Sequence, residues 1–460
     1  MCSDQYRLHF NTSRIPGKAK DSFQHVDYSE HVVVYHKGRY YKLNYCHEGR
    51  YLLPCELEIA FQSILDDDQD PSPGEEMLAT MTAGQRIPWA DARDKYFGTG
   101  LNKYSLDAIE TNDPNAEILT QRGKDILYGN GHDRWCDKTF NIVITKDGRH
   151  GYHVEHSWAD ANVSARAYEQ IVSKDLYVYG YRDDGHCRGE PEIIPPKPAK
   201  LVWDIPQECL RVIENTWEEV KEMIASVDLY SCVHTAYGKG FMKSCNVSPD
   251  GYMQMAFQLA YFRETGRFTA VQEPTSYRLF FEGRTSVTHP TTVESAAFVR
   301  AMVDDTKTDE ERLELLRTAC KIHRDLYMKS MIGQDTCQHL FGLSLVAGFT
   351  FTETQFMKRM HLTDDDLVTS QSPFDQTGLM RLKEYPYHAA GGGSFGALGD
   401  KGYGINYCIA GETHFYLHIT CYAADPATNS KIFCERIMKA LSDIRKMTQA
   451  AGVREKEKTV

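Results

Sequence analysis

The sequence predicts a mixed α/β protein of two domains, and three observations carry that reading. Its 460 residues exceed one ordinary domain, since about 150 residues per domain gives two or three. Hairpin patterns and amphipathic helical patterns occur in the same chain. A stretch dense in Pro and Gly, centred on the segment PEIIPPKPAK at 191–200, divides the sequence, and the boundary is placed at Pro196, giving domains 1–196 and 197–460.

The elements follow in order. His31 to Leu43, HVVVYHKGRYYKL, is an apolar run, a His-Lys-Gly turn and an aromatic-rich run, which is a hairpin pattern. A second hairpin is predicted from Phe140–Thr145 and Tyr152–His156, turned by Lys146-Asp147-Gly148. Period-two alternation places Tyr152, Val154 and His156 on one face. Beyond the boundary, Ser248-Pro249-Asp250 predicts a helix start with Ser248 as N-cap. Tyr252, Met255, Ala256 and Leu259 continue it at helical spacing, and Gly266 ends it. Thr308 and Glu311 form a capping-box pattern before a helix carrying Leu313, Leu316 and Cys320. Tyr403–Ile409 and His414–Cys421 read as paired strands. Ile432, Ile437, Leu441, Ile444 and Met447 make a last amphipathic helix, and REKEKTV is a solvated tail.

Composition excludes several classes. With 42% hydrophobic and 25% charged residues, the chain is globular rather than disordered or fibrous. Fifty-two Lys+Arg against 64 Asp+Glu leave a net charge of −12, which argues against nucleic acid as a partner and requires any anion site to be local. The 13 cysteines show no CxxC pair and are odd in number, so a disulfide framework and a zinc knuckle are both disfavoured and a reducing compartment is expected. No signal peptide or run of eighteen apolar residues is visible, so no membrane span is expected.

Two segments could carry chemistry. His156, in GluHisSerTrpAlaAspAla at 155–161, has Asp160 four residues on, a spacing that suits a general base oriented by a carboxylate, although a lone strand histidine is commonly structural. His150, His153 and His156 do not complete a metal set, because odd separations on a strand alternate faces. Lys239 and Lys243, in Tyr-Gly-Lys-Gly-Phe-Met-Lys, lie before a helix start, where lysines and free backbone N–H groups together suit phosphates; a solvated basic turn is the competing reading. The spacing is not that of a Walker loop. The glycines of AlaGlyGlyGlySerPheGly at 390–396 could mark a place where side chains must be absent.

Taken together these segments resemble the choline/carnitine acyltransferase family, most closely the carnitine palmitoyltransferases of the mitochondrial outer membrane. The resemblance rests on ArgIleProGly (14–17), HisValValValTyrHisLysGlyArgTyr (31–40), ThrAlaGlyGlnArgIleProTrpAla (82–90), AspArgTrpCysAspLysThrPhe (133–140) and GluHisSerTrpAlaAspAla (155–161). It continues through TyrGlyLysGly (237–240), SerProAsp (248–250), GluGlyArgThr (282–285), ThrSerGln (369–371) and AspLysGlyTyrGlyIleAsnTyr (400–407). It implies two similar acyltransferase-type domains of the chloramphenicol-acetyltransferase-like kind, with mixed sheets flanked by helices and a substrate tunnel between them. The first domain is expected to be incomplete, the chain being an N-terminally truncated relative.

The implied chemistry is transfer of a long-chain acyl group between CoA and the hydroxyl of carnitine, with no permanently bound cofactor and no metal; acyl-CoA is a co-substrate. By resemblance His156 is the general base, Asp160 its partner, and Ser370 the hydroxyl that stabilises the oxyanion. Lys239, Lys243, Ser248 and Asp250 match the CoA site, and Gly393 falls where a small residue keeps the acyl tunnel open. At the carnitine carboxylate only Thr285 is retained. Gln272 and Gln338 stand where the family has a tyrosine and an arginine, His289 replaces a further basic residue, and Val368 replaces a serine. Each lost charge-assisted contact costs about 1.5–3 kcal/mol, so weakened carnitine binding, a different small alcohol as acceptor, or an inactive relative that binds acyl-CoA are the alternatives. The resemblance implies mitochondrial association, while the chain's own sequence, lacking an anchor or targeting signal, predicts a soluble cytoplasmic protein.

Overall fold

The computed structural model describes residues 2–26, 29–110, 124, 126–144, 150–352, 354–355, 366–382, 384–385 and 390–454. The chain divides into two compact units. The N-terminal unit comprises Asp4–Ala225 with Asp375–His388, and the C-terminal unit comprises Met1–Ser3, Ser226–Phe374 and Ala389–Val460.

In the N-terminal unit, β1 (His31–His36) and β2 (Arg39–Asn44) form the first predicted hairpin, with Tyr35 opposite Tyr40 and positive φ at Lys37 and Gly38, as a tight turn between right-twisted strands requires. Helix α1 (Pro54–Leu65) follows. Strands β3 (Phe140–Ile144) and β4 (His150–Val154) form the second hairpin, with Phe140 opposite Val154. Its Lys-Asp-Gly turn lies outside the described residues. Helix α2 (Ala161–Lys174) starts directly after Asp160. Among the described residues the strands of this unit pair antiparallel in groups of two or three. Its core is aromatic, with Trp89, Trp135, Phe97 and Trp203 buried together and rings meeting edge to face, the geometry that aligns ring edges with π faces.

The Pro-rich stretch is stitched to this unit. Ala199 and Lys200 pair with Lys42 and Tyr41 of β2. The carboxylate of Glu56, on α1, accepts the backbone N–H groups of Glu192 and Ile193. The main chain passes from the N-terminal to the C-terminal unit at Ala225/Ser226.

In the C-terminal unit, β5 (Val227–His234), α3 (Lys239–Ser244), α4 (Pro249–Thr265), β6 (Val271–Ser276) and β7 (Thr285–Thr288) come first. They are followed by α5 (Asp309–Met331), α6 (Cys337–Phe349), β8 (Leu367–Gln371), β9 (Tyr403–Cys408), β10 (Phe415–Tyr422) and α7 (Ser430–Ala450). Among the described residues six strands form one sheet in the order β5-β10-β9-β8-β6-β7. The β9/β8 and β8/β6 pairs are parallel and the others antiparallel. This is the mixed sheet flanked by helices that the fold class predicts. Every residue of β9 is buried, as expected for a central strand covered on both faces.

Two details differ from the sequence pattern. In helix α4 the burial extends beyond the residues at helical spacing to all of Gly251 to Tyr261, because α3, α5, α7 and the sheet enclose it; a helix covered on all sides has no polar face to display. Ile432 is 48% exposed, since it sits in the first turn of α7, off the stripe formed by Phe433, Ile437, Leu441 and Ile444. The capping box at Thr308/Glu311 is formed reciprocally, and Gly266 closes α4 at φ 70°. Of the terminal REKEKTV, residues 455–460 lie outside the described residues.

Candidate active site

His156 does not end β4 itself. It lies two residues past Val154, in a bend, with its side chain 71% exposed. Asp160 is the N-cap residue of α2 in extended conformation, and its side chain makes no capping bond to that helix. The carboxylate is instead directed at the histidine, with Asp160 Oδ1 4.0 Å from His156 Nδ1. Gln5 fixes it. Gln5 Nε2 donates to Asp160 Oδ2 at 3.0 Å, and the Asp160 backbone N–H donates to Gln5 Oε1 at 2.9 Å. An amide that both gives and takes holds the carboxylate against rotation, which no local pattern in the sequence announces.

Behind His156 three of the sequence blocks converge. Arg14 bonds Asp21 and Glu155 at 2.7 and 3.2 Å. Arg86 bonds Asp21 and Asp137, both at 2.8 Å. The Trp89 indole N–H donates to Asp137 at 2.9 Å. Burial pushes the Asp137 carboxyl up to about 6 against the pull of Arg86. Arg14, Arg86, Asp137, Glu155 and His156 line a cavity of about 370 Å³, with apolar wall from Val220, Met223 and Ile224. His153 lines it as well, and burial together with Arg134 lowers it to about 3, leaving it neutral. His150 bonds Tyr168. The three histidines thus have separate partners, and among the described residues they form no metal cluster.

In the C-terminal unit, Ser370 lies on β8 opposite Asn406 of β9, which is opposite His418 of β10, itself opposite Ser231 of β5. A polar row therefore crosses one face of the sheet. Ser372 Oγ donates to Asn406 Oδ1 at 2.8 Å. Burial lowers His418; its Nε2 donates to the Gly391 carbonyl at 2.7 Å, and its Nδ1 meets Ser231 Oγ at 2.8 Å. This anchors the glycine loop. Gly392 has φ 81°, and a Cβ there would lie 2.8 Å from Cys408 Cβ, whereas a Cβ on Gly393 would enter open space. The backbone thus requires glycine at 392 and not at 393.

The basic loop is tied to a distant turn. The Lys239 and Gly240 N–H groups donate to the carbonyls of Gly411 and Glu412 at 3.2 and 3.1 Å, so they are not free for a phosphate. Gly238 permits this approach, since a Cβ on it would lie 2.5 Å from the His414 nitrogen. Lys243 lies 3.7 Å from the Glu412 carboxylate with its side chain 58% exposed. What remains for an anion is the two lysine side chains. Ser248 takes the N-cap position of α4 without a side-chain capping bond. Asp250 turns inward, accepting a bond from the Tyr407 hydroxyl.

Of the acceptor residues, Gln338 and Thr285 are brought together, Gln338 Nε2 donating to the Thr285 carbonyl at 3.2 Å. Asp335 was missed at the sequence level and organises this corner, accepting from the Tyr277 hydroxyl at 2.7 Å and from the Cys337 N–H at 2.9 Å. Burial opposes its charge, but these bonds hold its carboxyl below the usual range. Gln272 is on the same face but further along. Thr285 pairs with Ser276, four residues from Gln272, a distance of about 14 Å along the strand. His289 Nδ1 faces the Val271 carbonyl at 3.1 Å. Val368 pairs with Gln272 across β8/β6.

Residues 1–439 match the family model described as Choline/Carnitine o-acyltransferase. The human liver isoform of carnitine O-palmitoyltransferase 1 is 41% identical over 96% of this chain and 59% of its own length. The rat muscle isoform gives the same identity and coverage. Carnitine O-acetyltransferase of Columba livia is 29% identical over 98% of this chain and 72% of its own. The chain spans about three fifths of the palmitoyltransferases it matches. Among solved structures, an epimerization domain of tyrocidine synthetase B overlaps 74% of this chain and 80% of its own at TM-score 0.35 and 10% identity. The wax ester synthase/diacylglycerol acyltransferase of Marinobacter aquaeolei overlaps 69% of this chain and 72% of its own at TM-score 0.34 and 9% identity. Among the described residues no helix is long and apolar enough to cross a membrane. The family match over nearly the whole chain and the 41% identity agree, and the chain belongs to the choline/carnitine O-acyltransferase family.

Proposed function

We propose that this protein transfers a long-chain acyl group between CoA and the hydroxyl of carnitine, in association with mitochondria. His156 takes the proton from the acceptor hydroxyl, whose oxygen attacks the thioester carbonyl. Asp160 orients the imidazole, and Ser370 donates to the oxyanion of the tetrahedral intermediate. Collapse expels the CoA thiolate, which takes the proton back from His156. Lys239 and Lys243 bind the CoA phosphates through their side chains, near Ser248. Thr285, Gln272 and Gln338 contact the acceptor, and Gly393 leaves room for the acyl chain. The observation that carries this reading is the His156–Asp160 pair clamped by Gln5, in a chain 41% identical to a carnitine O-palmitoyltransferase. A positioned base contributes about 10²–10⁴ in rate.

The test is release of free CoA from palmitoyl-CoA with carnitine, choline or no acceptor, for the wild type and His156→Ala. Carnitine-dependent release that falls at least a hundredfold in the variant supports the reading, and release unaffected by His156→Ala refutes it. A second reading, a different small alcohol or an acyl-CoA binder without turnover, is favoured by one observation: the Gln338 amide is spent on a backbone carbonyl about 14 Å along the sheet from Gln272. Release with choline but not carnitine, or binding of palmitoyl-CoA with no release, selects it.

A further inference from the structure

A buried polar cluster lies beneath the sheet of the C-terminal unit and joins two of the segments assigned above. Glu273 and His323 are each 1% exposed, and Tyr407, Gln254 and Thr369 are fully buried. His323 Nε2 donates to Glu273 Oε2 at 2.7 Å and lies 3.9 Å from Asp250 Oδ2. The Tyr407 hydroxyl donates to Asp250 Oδ1. Gln254 Nε2 donates to the Tyr407 hydroxyl at 3.2 Å and to Thr369 Oγ1 at 3.0 Å, and Thr369 Oγ1 donates to the Gln272 carbonyl at 2.7 Å. The chain of bonds starts at the first turn of α4, next to Ser248, and ends at the backbone of Gln272, which pairs with Val368, two residues before Ser370 on β8. Two carboxylates, Asp250 and Glu273, face one imidazole in it.

The electrostatics single out the histidine. Burial opposes its charge, but Glu273 and Asp250 outweigh that and raise it above the ordinary imidazole value. Burial and the charge of Asp250 push Glu273 up to about 7. Without a cation at His323 the two carboxylates could share this buried site only with one of them protonated. The close approach of α5 that delivers His323 depends on Gly251, where a Cβ would lie 3.2 Å from Cys320 Cβ, and Cys320 is one turn before His323 on the same face. His323 faces Glu273 from β6, Asp250 from α4 and the Tyr327 ring from α5 itself, while Tyr407 from β9 bonds Asp250 and Cys320 from α5 feels its charge.

We propose that His323 is a positioning residue: by bridging Glu273 and Asp250 it holds the start of α4, with its CoA contacts, in register with the strand that presents Gln272 to the acceptor. This rests on the function proposed above. The test measures palmitoyl-CoA affinity of the full chain between pH 6 and 9 for the wild type, His323→Gln and His323→Gln/Glu273→Gln. Glutamine keeps a donor facing Glu273 but carries no charge. The raised imidazole supports the site while protonated and ceases to do so as pH rises through its folded value, so wild-type affinity is expected to fall over this range while that of His323→Gln stays flat. At pH 6.5 His323→Gln is expected to bind about tenfold more weakly, and the double variant, which removes the uncompensated carboxylate, to return within about threefold of wild type. A folded His323→Gln that binds within twofold of wild type with the same pH slope overturns the proposal, as does a double variant no better than the single. If His323→Gln does not fold, a flat wild-type profile overturns it. A wild type that binds no palmitoyl-CoA refutes the proposed function instead.

Discussion

Replacing Gln5 with leucine tests whether the clamp on Asp160 does what its geometry implies. Both residues are buried, at 5% and 6% exposure, and are joined by bonds of 3.0 and 2.9 Å. Losing a hydrogen bond to a charged acceptor costs about 1.5–3 kcal/mol, and removing the partner of a buried backbone N–H about 1–3 kcal/mol. The added apolar surface of leucine returns about 1–2 kcal/mol. The net expectation is a loss of about 2–4 kcal/mol in the N-terminal unit. Urea unfolding followed by tryptophan fluorescence reads it, since Trp158, 3% exposed and two residues from Asp160, reports directly on this segment. CoA release should fall as well, because the carboxylate no longer holds its angle to His156. A change below about 0.5 kcal/mol, with release unaltered, would show that the Gln5 bonds contribute nothing and that the orientation of Asp160 has another origin.

Other outcomes follow from the same reasoning. The Glu56 carboxyl is held at about 2 by the bond from Arg50, against its burial and with help from the N–H groups of Leu53, Glu192 and Ile193. Because its folded value is depressed, the stability it contributes is present above the ordinary value near 4.5 and is lost as pH falls through 2; melting curves should show Glu56→Gln less stable than wild type at pH 7, with the gap closing between pH 4.5 and 2. Gly251→Val should destabilise the C-terminal unit by about 1–3 kcal/mol through overpacking against Cys320, measured by urea unfolding. It should also weaken palmitoyl-CoA binding by moving α5 and its histidine.

The sequence is legible where its information is local. The hairpin at 31–44, the box at Thr308/Glu311 and the glycine closing α4 depend on residues a few positions apart, and the structure forms each of them. The His156–Asp160 spacing is local too. Gln5 is 155 positions from Asp160, and nothing in its surroundings marks it. The basic loop has a distant anchor as well: a turn some 170 residues later supplies acceptors for the N–H groups of Lys239 and Gly240, which the spacing of the lysines does not announce. The Pro-rich stretch is composed like a linker, yet its N–H groups reach Glu56 and its end pairs with β2, so composition alone does not reveal its attachment.

The sequence by itself determined that this chain is an α/β protein, that its ordered blocks are those of the acyltransferase family, and which short segments could hold a base and an anion. Those properties reside in spacing and residue type. Only the tertiary structure decided that Asp160 is clamped by Gln5, that Asp250 faces His323 and Glu273, and that Gln338, on α6, bonds the Thr285 carbonyl far along the β6/β7 ladder from Gln272. The reason is physical: a buried polar group must find its partner within about 3 Å, and which partner it finds is set by how helices and strands distant in the chain pack together.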